Sequence, residues 1–155
     1  MGLMRISGGA VLASVVAYGA ACGPAGSSRP GLAAAFHDGT WALAVDRALR
    51  DGSPAAGSPA APFSESDFAP ATGNTTYRLD VSEQGARIVV AEPRLVAHLE
   101  ATTPERLTYR IVEGTFADGR IVIWPIPGGL QGELTIYGSG RPVIRSERGS
   151  LRRVR

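Results

Sequence analysis

One thiol stands out among the side chains able to do chemistry: Cys22 is the only cysteine in the 155 residues. Without a second cysteine it cannot close an intramolecular disulfide, so an exported chain that keeps it needs another use for it. The other reactive groups are sparse. The histidines are His37 and His98. His37 precedes Asp38, and this pair with a distant His98 falls short of the three or four convergent ligands that hold a metal; no metal is expected. No Gly-x-Ser-x-Gly elbow occurs, and Gly138-Ser139-Gly140 reads as a turn. Glu100 with Glu105, and Glu113 with Asp118, are spaced as carboxylate pairs, but they fall at strand ends and loops where solvated charge belongs. The sequence therefore predicts no catalytic residue, no cofactor and no enzyme.

The surroundings of Cys22 give it a use. Met1 to Arg5 carries one positive charge, Ile6 to Ala21 carries none, and the run ends Tyr18-Gly19-Ala20-Ala21-Cys22. A charged start, an apolar middle and small residues at the end are the parts of a secretory signal peptide. A cysteine directly after the small residues resembles the lipobox of bacterial lipoproteins, although Gly19 stands where that pattern usually has leucine. The resemblance implies a signal peptide over 1–21, a diacylglyceryl group on the Cys22 thiol and cleavage just before it. Two or three acyl chains would then hold the protein on the cell membrane or outer membrane, since each buried methylene contributes about 0.8 kcal/mol. The protein would face the periplasm or the exterior. The alternatives are cleavage elsewhere, or an uncleaved anchor, for which a run of about 16 residues is short against the roughly 20 of a spanning helix.

Composition excludes one further class. All 16 basic residues are arginine, and Asn74 is the only asparagine. This pattern matches the codon bias of a GC-rich genome better than selection for guanidinium chemistry. The formal charge is +2, but Arg141, Arg145, Arg148, Arg152, Arg153 and Arg155 crowd the last fifteen positions against Glu147 alone. A basic end can attract anionic headgroups or nucleic acid. No aromatic residues interleave with these arginines, as a nucleic-acid platform requires, so a solvated last strand is the better reading and no nucleic-acid partner is expected.

Two segments are rich in chain breakers. Residues 22–35 read as the lipidated cysteine and a flexible tether. Residues 51–73 contain Gly52-Ser-Pro-Ala-Ala-Gly-Ser-Pro-Ala-Ala-Pro62, too polar and too broken to order itself, with Phe63 and Phe68 available to fold back onto the domain. Between and beyond them, apolar residues alternate at period two: Trp41, Leu43 and Val45; Tyr77, Leu79 and Val81; Ile88 and Val90; Leu95, Ala97 and Leu99; Leu107, Tyr109 and Ile111; Ile121 and Ile123; Leu134 and Ile136. Such runs predict antiparallel sheet with one buried face. Glu83-Gln84-Gly85 and Asp118-Gly119 are turn signals, and Pro125 and Pro127 are expected to end the strand at Trp124. One helical turn is expected at Asp46–Arg50. Links too short for crossover helices make the strands a meander. The predicted fold is all-β: one domain over 36–155 with about eight strands closed into a barrel, a β-sandwich being the alternative.

At the first strand the sequence reads Gly39-Thr40-Trp41. Gly-x-Trp opening a strand meander resembles the lipocalins and lipocalin-like bacterial lipoproteins, although that family's Thr-Asp-Tyr motif is absent. The resemblance implies that Gly39 and Trp41 close one end of the barrel, that an arginine of the last strand, Arg145 or Arg148, packs across the indole, and that a long first loop, here 47–74, covers the mouth. It implies binding of a small apolar ligand inside the barrel, against Leu79, Leu95, Leu107, Tyr109 and Ile123. The alternative is an envelope protein with a filled barrel and a protein partner. Its contact surface would be the basic end or the Trp124–Leu130 loop, where Trp124 otherwise caps the barrel and Leu130 plugs its base.

Overall fold

In the computed structural model, residues 31–50, 63–116, 118–138 and 143–155 are described; Cys22, the signal segment and most of the tether lie outside them. The alternating runs become nine strands: β1 (Gly39–Leu49), β2 (Phe68–Pro70), β3 (Thr76–Ser82), β4 (Arg87–Val90), β5 (Leu95–Thr103), β6 (Arg106–Gly114), β7 (Gly119–Ile126), β8 (Gly129–Tyr137) and β9 (Val143–Arg153). They form one antiparallel sheet in the order β2-β1-β3-β4-β5-β6-β7-β8-β9, and a β1–β9 pairing closes it. Eight strands thus make a closed up-and-down barrel, with β2 added beside the end of β1. Closure leaves no exposed ladder around the ring.

The side chains that alternate inward fill the barrel. Leu43, Leu79, Ile88, Leu95, Tyr109 and Ile123 are each at most 1% exposed and belong to one continuous cluster. Each aliphatic side chain buried this way contributes about 1.5–3 kcal/mol. One pole, where Trp41 faces Arg153 across the closing seam, is plugged from outside the ring. A short helix, α1 (Leu32–Ala35), and Phe36 fold under it. Phe36 is 1% exposed, its ring 4.9 Å from Trp41 and 6.2 Å from Tyr109. The predicted tether therefore ends earlier than 35: Leu32 and Phe36 carry enough apolar surface to leave water, and both join the core. At the opposite pole the Tyr77 hydroxyl donates to the buried Glu147 carboxylate, which also pairs with Arg145 at 3.2 Å.

Two local expectations are corrected. Asp46–Arg50 is not helical; β1 runs on to Leu49 because its end is paired on both sides, Arg47 with Pro70 and with Arg148. A bulge between Val45 and Arg47 lets the strand turn there. Pro125 does not end β7, which continues to Ile126. Its ladder with β6 stops at Leu107–Ile123, so Pro125 sits where one edge asks for no donor. The tight return to β8 falls at Gly128, whose φ of +85° suits glycine.

Candidate functional site

The polar side chains of interest gather on the outer wall of β6–β9. Register fixes this. Thr108, Val122, Glu133 and Arg148 stand side by side in one row across four strands, and Arg110, Arg120, Thr135 and Ser146 form the next. Alternation would assign both rows to solvent. Instead Val122, Arg120, Glu133, Thr135, Ser146 and Arg148 are each at most 8% exposed. Residues 63–71 lie against Arg148 and Arg120, as a strap that a 3-10 turn at Glu65–Asp67 and β2 hold in shape. A capping box, Ser64 with Asp67, starts that turn. Phe63 and Phe68 pack edge to face at 6.1 Å, so the aromatic residues that follow the low-complexity run do fold back.

Arg148 is the clamp. Its Nε donates to Glu133 Oε2 at 2.8 Å, Nη1 to Glu65 Oε1 at 3.0 Å and Nη2 to the Phe63 carbonyl at 2.8 Å. Its guanidinium lies over the Phe68 ring at 3.9 Å and 5.4 Å from that of Trp124. Glu133, 2% exposed, also receives Thr135 Oγ1 at 2.9 Å and Arg120 Nη2 at 3.5 Å. Since the Thr135 proton goes to that carboxylate, Ser146 is the donor in the 2.8 Å contact between the two hydroxyls. A charge this deep is tolerable only when its lone pairs are satisfied, as here.

Beside the strap the wall opens into a recess of about 930 Å³, within the range of small-molecule sites. Phe63, Val122, Trp124, Pro125 and Tyr137 give it apolar surface. Trp124 does not cap the barrel; it is half-buried on the outer wall and its Nε1 donates to Gln131 Oε1 at 3.1 Å. Glu100, Glu105, Asp118, Arg106 and Arg110 add charge of both signs. Among the described residues, these five side chains make no hydrogen bond or ion pair.

The other sequence candidates separate. Gly39 and Trp41 lie at the plugged pole, where Trp41 Nε1 donates to the His37 carbonyl at 2.9 Å. The arginine there is Arg153, not Arg145 or Arg148. Its Nη2 donates to the Asp38 carbonyl at 3.1 Å and its Nη1 is 2.8 Å from His37 Nε2, and it lies against Gly39, where a Cβ would come within 3.1 Å. Arg148 pairs with Arg47 instead, five positions along β9 and about 16 Å away at strand rise. Arg145 is at the opposite pole. Leu130 is in the core, 9% exposed. His98 is exposed on β5, far in sequence from His37, and no group of three His, Cys, Asp or Glu placed for a metal occurs among the described residues. No helix among them is long and apolar enough to cross a membrane. Leu79, Leu95, Leu107, Tyr109 and Ile123, expected to line a ligand cavity, pack together in the core. Tyr109 spends its hydroxyl on the Gly85 carbonyl at 2.7 Å, and burial pushes its phenol well above the ordinary range. The wall site was missed because period two says outward means wet. The two phenylalanines bounding a polar run were its one signal.

Comparison of the chain with protein-family models, curated proteins and solved structures finds no match.

Proposed function

We propose that the protein is a lipid-anchored, non-catalytic binding module of a bacterial cell envelope, lipocalin-like in its barrel, that engages its partner on the outer wall. Acylation at Cys22 and export follow from the residues before it. The observation that carries the choice of surface is the contrast between inside and outside. The inward positions hold large side chains packed in one cluster, whereas the recess of about 930 Å³ lies outside the ring. This favours the filled-barrel alternative over a ligand held within. Trp124 supports it, since exposed or half-exposed aromatic residues anchor interfaces.

Two measurements test the reading. Cys22→Ser should release the folded domain from the detergent phase; retention there would remove the anchor. A photo-crosslinker at Thr108, in the recess, should capture a neighbour in intact cells, while the same group at Arg78 on the far wall should not. Capture from Arg78 alone would remove the recess.

A further inference from the structure

The outer wall carries a feature that stability alone does not explain. Arg87, His98, Arg110 and Arg120 are consecutive cross-strand neighbours, His98 opposite Arg87 and Arg110 opposite both His98 and Arg120. Like charges directly opposite on one sheet face are destabilising. Arg87 has Glu83 at 4.0 Å and Arg120 has Glu133. Arg110, in the middle and on the recess wall, has no such partner among the described residues. An anion against Arg110 would relieve the row.

The rim limits which anion. Glu100, Glu105 and Asp118 border the same recess with Arg106, and a phosphate-rich ligand would meet three carboxylates against one further guanidinium. A ligand with one carboxylate and a separate ammonium satisfies both sets: guanidinium forks take carboxylates bidentately, and the rim acids take the ammonium. Trp124, Phe63 and Val122 leave apolar surface between them for side chains or backbone. We propose that the recess binds a short zwitterionic peptide, its carboxylate on Arg110 and its ammonium groups toward the Glu100–Glu105 rim. This rests on the recess being the binding surface.

The test uses the full-length protein in detergent micelles and follows the Trp124 indole N–H signal by NMR, assigned with Trp124→Phe. The probe is Lys-Ala-Ala with a free carboxylate. It should shift that signal saturably. Its C-terminal amide should bind about tenfold more weakly or worse, the worth of one charge-assisted hydrogen bond. Arg110→Gln, an exposed change checked by near-UV circular dichroism, should lose the same factor for the acid and nothing for the amide. Equal binding of acid and amide, or an indifferent Arg110→Gln, overturns the proposal. A signal that answers only to a neutral disaccharide of N-acetylglucosamine also overturns it, while the recess stands as the surface. Silence to every probe overturns it too, and the Thr108 crosslinker then decides separately whether the recess is used at all.

Discussion

Replacing Arg148 by Met tests the strap and the wall together. The thioether is unbranched and fills much of the same volume, so packing on Phe68 is largely kept. What disappears is the Nε bond to Glu133, the Nη2 bond to the Phe63 carbonyl and the contact with Glu65. Glu65 is 65% exposed and the pair it forms is screened by water, so its share is small. Glu133 decides the size. At 2% exposure it keeps Thr135 and a long contact to Arg120, and removing one partner of a buried pair costs about 3–5 kcal/mol. With a urea slope of about 2 kcal/mol/M for a small domain, the midpoint should fall by roughly 1.5–2.5 M, read by circular dichroism. Adding Glu133→Leu to Arg148→Met should recover part of the loss, because an apolar pair replaces an orphaned charge, while Arg120 and Thr135 lose the carboxylate they share. Proteolysis within 63–70 should accelerate in the single variant before the barrel itself unfolds. A midpoint shift below about 0.5 M, or a double variant as weak as the sum of its parts, would refute the account of Glu133 as a charge held by Arg148.

Further outcomes follow from the seam and from the phenols. At Gly149 a Cβ would lie 1.9 Å from the Ala44 carbonyl oxygen on the closing strand. Gly149→Ala should therefore prevent closure and abolish the cooperative thermal transition, whereas Gly129→Ala, with nothing within 4 Å, should leave the melting temperature within about 2 °C. Burial first, then the hydrogen bond and the negative charge of Glu147, hold the Tyr77 phenol protonated well above its ordinary range, and burial does the same for Tyr109. Folded-state values raised above the unfolded value of about 10 mean stability is full below that pH and lost as pH rises beyond it. Denaturant midpoints should fall on going above pH 10, less steeply in Tyr109→Phe. An equal alkaline slope in that variant would show that Tyr109 titrates freely.

The barrel was legible because most inward residues are apolar and every link from β3 onward is short. Trp41, Leu43 and Val45, or Leu107, Tyr109 and Ile111, point one way whatever the rest of the chain does. The wall site was not legible, because burial of Glu133 and Arg148 depends on a segment from elsewhere in the chain lying over them. Period two reports a strand's own two faces and knows nothing of a second layer. Lipocalin likeness implies only an arginine of the last strand, for which Arg145 and Arg148 stand as candidates; closing register, which sequence does not reveal, put Arg153 opposite Trp41. Leu32 falls within the breaker-rich segment read as tether, yet its apolar surface, beside that of Phe36, is the stronger signal.

Closure of β1 on β9 also sets the order of events in time. From β3 to β9 every neighbouring pair in the ring is joined by a short link, able to form locally within microseconds once its residues exist, and only the β1–β3 pair must close a longer loop. The seam alone joins Trp41 to Arg153, the largest sequence separation in the sheet, and chain entropy makes such contacts slow. Until it forms, a half-finished sheet presents two bare edges, each a template for a neighbouring copy. The hazard for this protein is thus concentrated in the interval before its final strand arrives, and concentration in that interval, more than native stability, governs the yield of monomer.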